Sequence, residues 1–275
     1  KGISVMTDLV LYIVTPCVII KSFIREFDAS TLKKLLISFL IAFLAHLAFI
    51  VLSRLLIHSK EKQSEKVLQF GVIFSNCGYM SIPLQQALLG DDGVFYGSSF
   101  IAIFQLFIWS YGILLMSGDK KYLSPRKILI NPGMIGLFIG LIIFLFSIPV
   151  PKIISEPVSY LASLNTPLPM LIIGYHLVNS DILKGLRNLK SFYAIALKLF
   201  LFPALALGVL YLCGIRGTML VSSVISCSAP TAAITTMFSD KFSCDTPLSV
   251  NLVSLSTLLS LISMPLIITL AQYLA

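Results

Sequence analysis

Apolar runs of about 20 residues or more recur along the whole chain, and short polar linkers separate them. A run of that length crosses about 30 Å of hydrocarbon as an α-helix. The pattern therefore predicts an all-α polytopic membrane protein without a soluble domain. The nine predicted spans are 2–24, 33–58, 67–89, 93–117, 127–148, 153–178, 190–213, 217–239 and 247–273.

Two of these spans contain residues that interrupt a helix near its middle. The sequence NCG at 76–78, followed by Pro83, breaks the third span, and SAP at 228–230 breaks the eighth. Freed backbone N–H and C=O groups cost several kcal/mol each in lipid, so such a break needs a protein or wet environment. A proline kink relieved by neighbouring hydroxyl groups is the plainer alternative for a single break, but two matched breaks favour a binding site.

The matched breaks belong to a weak internal repeat with an offset of 151 residues. That offset places Thr15-Pro16 over Thr166-Pro167 and brings the two helix breaks into register. The second half contains five predicted spans and the first half four, so we expect one helix to be missing from the front of a five-plus-five design. An odd number of spans per half places the halves in opposite orientations, which predicts an inverted repeat.

Composition agrees with a membrane location. Hydrophobic residues make up 57% and charged residues 12% of the chain, whereas soluble domains carry about 25% charged residues. The net charge of +8 is therefore interpreted as loop charge and not as a nucleic-acid surface. Thirteen Lys and Arg residues fall on one predicted face and six on the other, which predicts a C-terminus outside the cell, in a bacterial plasma membrane.

The sequence contains none of the motifs that would indicate an enzyme. We find no HExxH, GxSxG, glycine-rich nucleotide loop or pair of intramembrane aspartates, and the five cysteines form no CxxC pair. Neither a catalytic residue, a metal site nor a cofactor is predicted. A channel and a structural or sensor protein remain as alternatives to a carrier.

If the two broken spans cross, their second halves each point a helix N-terminus at the crossing. Each N-terminus carries about half a positive charge and free N–H donors, which suits an anion. We expect further polar contacts from Thr15, Asn165 and Thr166. The expected binding residues at the crossing itself are Asn76, Cys77, Gly78, Tyr79, Ser228, Pro230 and Thr231.

Three ionisable residues inside the spans are candidates for coupling or charge. Lys198 either holds charge inside the protein or helps to attract an anion, or else it snorkels towards the cytoplasm. His46 either takes part in proton coupling or is a hydrogen-bonded structural histidine. Asp8 either pairs with a cation and gates an entrance or is an interfacial carboxylate.

Two short motifs have plain interpretations. The carboxylates of the GDDG turn at 90–93 are expected to be solvated. Gly136 and Gly140 form a GxxxG pattern, for which helix contact within the chain is the default and a homodimer through the scaffold helices is the alternative.

Several stretches of the sequence resemble a known family. The stretch from Asn76 to Leu84 resembles the N-x-G-x-x-G-I-P-L stretch of the auxin efflux carrier family, with Ser81 where a glycine is common. The second half resembles the family in Asn131-Pro132, "LNTPLPMLIIG", "SAPTAAITTMFSDKF" and "LSTLLSLISMPL". The resemblance covers nearly the whole chain, and its departures around Pro230 bear on the substrate more than on the fold.

The resemblance implies a secondary carrier with a ten-helix inverted repeat, similar to bile-acid/sodium symporters and sodium/proton antiporters. It implies a scaffold at 1–24 and 127–178 and a moving transport domain at 33–117 and 190–273, with Lys198 where related carriers place a sodium ion. Small organic anions such as auxins or malate are the implied substrates. A sodium-coupled symporter of the bile-acid type is an alternative, and coupling to protons, sodium or membrane potential stays open.

Overall fold

A computed structural model describes residues 2–123, 130–178 and 189–275 of the chain. Within these ranges the protein is helical, and its single β-type pairing is an isolated bridge between Ser75 and Thr231. The α-helices are α1 (Gly2–Leu9), α2 (Thr15–Phe23), α3 (Ala29–Leu56), α4 (Lys62–Ile73), α5 (Ile82–Phe107), α6 (Ile113–Ser117), α7 (Pro132–Leu145), α8 (Lys152–Ser163), α9 (Pro167–Val178), α10 (Leu189–Ala196), α11 (Phe202–Leu212), α12 (Gly217–Ser228), α13 (Ile234–Lys241) and α14 (Thr246–Leu274).

Five helical runs in the described ranges are long and apolar enough to cross a membrane. They agree with a polytopic membrane protein, as the sequence predicted. The run Cys77–Ser117 has 41 residues but reverses direction at Gly90, where φ is 64° and ψ is −153°. A Cβ atom on Gly97 would lie 2.0 Å from the side-chain oxygen of Gln85. Since a straight helix would rise about 18 Å over the twelve steps from Gln85 to Gly97, the two limbs must fold back on each other.

Three helices widen into a π-helical turn immediately before a proline. The π turns are Val10–Val14, Cys77–Ser81 and Leu197–Leu201, and the prolines that follow are Pro16, Pro83 and Pro203. A proline lacks an N–H group, and its ring clashes with the carbonyl four residues earlier. A local i→i+5 widening relieves that clash, so the prolines explain these three turns. A fourth π turn, Ile108–Gly112, has no proline directly after it. The predicted span 153–178 is instead divided by a turn between α8 and α9, just before Pro167.

The GxxxG pattern on α7 packs within the chain. A Cβ atom on Gly136 would lie 2.9 Å from Pro16 Cα, and one on Gly140 would lie 2.9 Å from the ring of Phe23. The glycines therefore allow α2 and α7 to approach closely, which is the default interpretation of the motif. A homodimer through the scaffold helices stays a prediction, and it would have to use a different surface.

We predict that Gly136→Val destabilises the protein, because the new side chain would overlap the backbone of Pro16. Overpacking of a well-filled site costs about 1–3 kcal/mol, which is expected to lower the temperature of thermal unfolding in detergent. Gly208→Val is the matched control, because a Cβ atom at that helical glycine meets nothing within 4 Å. Equal unfolding temperatures for the two variants would contradict the close α2–α7 contact.

The acidic turn between the two limbs of α5 differs from the expectation of purely solvated carboxylates. Asp91 lies 3.4 Å from the ammonium group of Lys21, and Asp92 forms an ion pair with Arg25. Both cations belong to the end of α2 and the segment after it, far from the turn in sequence. The turn is therefore tied to a second part of the protein.

Candidate functional site: the helix crossing

The two predicted helix breaks lie side by side and pair with each other. The backbone N–H of Asn76 donates to the carbonyl of Pro230 at 2.8 Å, and that of Ala232 donates to the carbonyl of Phe74 at 3.0 Å. These bonds flank the antiparallel bridge between Ser75 and Thr231. The two interruptions therefore lie against each other, and each break satisfies backbone groups of the other.

Four helix ends converge at this crossing. Helices α4 and α12 end there, at Ile73 and Ser228, and direct their carbonyl ends at it. The π turn Cys77–Ser81, which continues into α5, and helix α13 begin there and direct their N–H ends at it. The crossing thus combines two partial negative and two partial positive charges in the low-dielectric interior.

Lys198 lies at the crossing with its side chain fully buried, at 0% exposure. Its ammonium group donates a hydrogen bond to Ser75 Oγ and lies 5.7 Å from the ring centre of Phe49. No carboxylate lies within ion-pairing distance of this group in the part of the chain that the structure describes. The lysine does not snorkel to the surface, and a role for its charge at the crossing stays a prediction.

The second break is built into the interior. The Thr231 hydroxyl donates to the carbonyl of Gly71 at 3.0 Å, and the Thr231 N–H donates to Ser256 Oγ at 3.2 Å. The Ser228 hydroxyl donates to the carbonyl of Ile225 at 3.1 Å, and Pro230 is buried. These predicted binding residues of the second half therefore form part of the buried interior of the crossing.

The first break has a more open side. Asn76, Gly78 and Tyr79 are half-buried, whereas Cys77 is buried. A Cβ atom on Gly78 would meet nothing within 4 Å, so free space adjoins the backbone here. The Tyr79 hydroxyl is enclosed, and no hydrogen-bond partner is seen for it among the described residues. Ser75 faces Lys198, to which it is hydrogen-bonded. Asn76 is the central residue of a tight turn, in which the N–H of Cys77 donates to the carbonyl of Ser75 at 2.8 Å.

Of the predicted scaffold contacts, Asn165 shows the strongest sign of an unfilled role. Its side chain is 1% exposed, and neither its amide nitrogen nor its amide oxygen has a hydrogen-bond partner in the described ranges. An unpaired buried amide is costly, so its retention calls for an explanation. Thr15 is buried as well, but Thr166 is exposed.

The two remaining ionisable candidates occupy different environments. His46 is buried, with Nδ1 2.8 Å from the carbonyl of Ala42 and its ring 5.0 Å and 5.2 Å from the ring centres of Phe100 and Phe107. This environment is that of a hydrogen-bonded structural histidine, and a role of His46 in proton coupling stays a prediction. Asp8 is exposed on α1 and lies within electrostatic range of Tyr79.

Sequence reasoning missed a polar contact that fastens the crossing on its other side. Gln85 Nε2 donates to the carbonyl of Ser222 and to Ser226 Oγ, both at 2.9 Å. These bonds join the first limb of α5 to α12. A glutamine inside an apolar span was the available signal, because a buried amide needs partners.

Comparison with known proteins places these features in a family. The model of a family described as "Membrane transport protein" matches residues 1–268. An "Uncharacterized transporter" of Methanothermobacter thermautotrophicus is 25% identical over 206 residues, which cover 70% of this chain and 63% of the relative. Auxin efflux carrier components 7 and 1 of Arabidopsis thaliana are 26% and 24% identical over 121 residues, which cover 42% of this chain and 20% of each carrier.

The aligned part thus spans less than two thirds of these relatives, and only a fifth of the plant carriers. The match over residues 1–268 nevertheless confirms the resemblance that the motifs around Asn76 and Pro230 suggested. Since the family is one of transporters, the prediction that the chain is not an enzyme is also confirmed. The chain belongs to the membrane transport protein family, the family of the auxin efflux carriers, and is an integral membrane protein.

Proposed function

We propose that the protein is a secondary carrier that moves a small organic anion across the membrane by alternating access. The observation that carries this proposal is the crossing of two interrupted helices, with helix N-termini beside the open space at Gly78. Free N–H donors and a partial positive charge at such ends favour a carboxylate. Secondary carriers place their substrate site at interrupted helices of this kind, near the middle of the membrane.

The proposed architecture is an inverted five-plus-five repeat. Residues 1–24 and 127–178 form the scaffold in this proposal, and residues 33–117 and 190–273 form the transport unit. The mutual pairing of the two breaks supports this division, because it joins the segments 33–117 and 190–273 to each other. The unit moves relative to the scaffold by rocking or by an elevator-like displacement. The C-terminus lies outside, in a bacterial plasma membrane.

Within the site, Asn76 and the N–H groups that follow Gly78 grip the carboxylate. Tyr79 and Asn165 approach the substrate with polar groups that have no partner among the described residues, the first from the transport unit and the second from the scaffold. The names of the plant relatives point to auxin-like acids, which combine a carboxylate with an apolar body. We therefore propose a small carboxylic acid of this kind as the substrate class.

Lys198 supplies a fixed positive charge behind the crossing. Its ammonium group lies close to the carbonyl ends of α4 and α12, whose partial negative charge would otherwise repel an anion. With those ends neutralised, the two N–H ends dominate the field on the open side. Three kinds of coupling are to be distinguished by experiment. Transport is coupled to protons through His46 or Asp8, to sodium, or to the membrane potential.

Replacement of Asn76 by alanine tests the proposed grip. We expect saturable uptake of labelled carboxylates into proteoliposomes to fall by about 10- to 100-fold, because a hydrogen bond to a charged group contributes about 1.5–3 kcal/mol. Asn251→Ala is the matched control, since Asn251 is a half-buried asparagine on α14, outside the crossing. Unchanged uptake in Asn76→Ala would remove Asn76 from the site.

The same proteoliposomes distinguish a carrier from a channel. A carrier saturates with substrate and shows counterflow, whereas a channel conducts a current that far exceeds carrier turnover. Repeating the uptake with and without sodium, and with imposed pH or potential gradients, assigns the coupling. Non-saturating current without counterflow would replace the carrier proposal with the channel alternative.

A further inference from the structure

The end of α2 is attached to the second limb of α5 by two ion pairs. Lys21 Nζ lies 3.4 Å from Asp91, and Arg25 pairs with Asp92. The Arg25 guanidinium also lies 4.4 Å from the ring centre of Phe95, a cation–π distance. All of these side chains except that of Phe95 are partly exposed to solvent.

A buried aromatic wedge lies directly beneath the ion pairs. Phe95 on α5 packs against Phe23 on α2 and Phe144 on α7, with ring centres 4.6 Å and 5.5 Å apart. All three rings are fully buried. The α5 ring is thus inserted between two helices that belong to the other part of the proposed carrier.

The backbone and its neighbours hold the charged arms in place. The positive φ of Gly90 creates the tight reversal that presents Asp91 and Asp92 to α2, and glycine is the residue that adopts this conformation without strain. Gln86 Nε2 donates to Asp91 at 3.1 Å, and Arg25 Nε donates to the carbonyl of Ser22 at 2.9 Å. The pairing is therefore oriented from both sides.

We propose that Lys21, Arg25, Asp91 and Asp92, above the Phe95 wedge, form a latch that holds the transport unit against the scaffold at this face. The inference rests on the proposed function, in which the two parts move relative to each other. The latch must then open in every transport cycle. Partly exposed ion pairs suit this task, because they stabilise a contact weakly and salt screens them.

The test measures the distance between the two parts. Spin labels are placed at Phe27, next to α2, and at Leu88, on the first limb of α5, both of which are exposed. The native cysteines outside the buried interior, Cys17, Cys213 and Cys244, are first replaced by serine. Distance distributions are then compared between the parent and the double variant Asp91→Asn/Asp92→Asn.

We expect the population at longer distances to rise by about three- to tenfold in the double variant, since two weak ion pairs are lost. Raising the salt concentration should produce the same shift in the parent and little further change in the variant. Glu26→Gln is the matched control, because Glu26 is an exposed carboxylate beside Arg25, and no ion pair is seen for it in the described ranges. It should leave the distances unchanged.

Charge exchange guards against a nonspecific effect. Arg25→Asp alone should shift the distances, and combining it with Asp92→Arg should restore the parent distribution. Identical distributions in the parent and the Asp91→Asn/Asp92→Asn variant, in a protein with saturable uptake, would overturn the latch and leave the carrier intact. Absence of saturable uptake in the parent would instead overturn the carrier function, and with it the latch's place in a transport cycle.

Discussion

Replacement of Lys198 by methionine is expected to lower carboxylate transport by about 10- to 100-fold, because removal of one buried positive charge should cost the bound anion about as much as a hydrogen bond to a charged group, about 1.5–3 kcal/mol. Methionine keeps much of the volume of the side chain but donates nothing to Ser75 Oγ. The carbonyl ends of α4 and α12 then keep their partial negative charge, and an anion on the open side of the crossing is repelled.

Stability should respond in the opposite sense to function. Burial of an ammonium group without a carboxylate partner is costly, so an apolar replacement is expected to leave the unfolding temperature unchanged or raise it. The paired measurement is uptake in proteoliposomes and thermal unfolding in detergent. A variant that is more stable but slower in transport would mark Lys198 as a residue retained for function.

Two further variants sharpen the test of Lys198. Lys34→Met removes an exposed lysine from α3 and should leave both measurements unchanged. Lys198→Arg keeps the charge but introduces a larger, planar group, so partial transport is expected. If Lys198→Met transports at the parent rate, the charge behind the crossing has no role in holding the anion.

The elements that could be predicted from the sequence are those encoded by local chemistry. Apolar runs predicted the spans, and the residues around Asn76 and Pro230 predicted the two helix breaks. The breaks were expected to lie in a protein or wet environment, because lipid penalises unpaired backbone groups. The prolines also explain three of the four π turns in the described residues, although the sequence alone did not predict these turns. The pairing of the breaks followed from the matched spacing of the halves.

Contacts between distant side chains were harder to anticipate. Nothing in the GDDG turn indicates that Asp92 meets Arg25, which is 67 residues earlier, or that Asp91 meets Lys21. The bond from Lys198 to Ser75 spans 123 residues. Such pairs depend on the three-dimensional packing of helices, which a single sequence does not specify.

The residues of the candidate site were predicted, but the different environments of its two breaks were not. The breaks were expected to contribute alike, yet Asn76, Gly78 and Tyr79 lie at an open side, whereas Ser228 and Thr231 bond within the interior. The two breaks differ in this way because each packs against a different set of neighbours.

Gly78 offers the sharpest test of where the substrate lies. Gly78→Leu is expected to fold normally, because an added Cβ atom meets nothing within 4 Å. The new side chain would nevertheless fill the free space beside the N–H ends. We therefore expect an unfolding temperature within about 2 °C of the parent and a loss of saturable uptake of about tenfold or more.

Gly71 provides the contrasting variant at the same crossing. A Cβ atom there would lie 2.3 Å from Leu252 Cδ2 and 3.1 Å from Thr231 Cγ2. Gly71→Leu should thus lose both stability and uptake, since overpacking at a buried contact costs about 1–3 kcal/mol or more. Normal uptake by a folded Gly78→Leu variant would show that the anion binds elsewhere. Loss of uptake without loss of stability, seen for Gly78→Leu and not for Gly71→Leu, would separate a blocked binding space from a damaged fold.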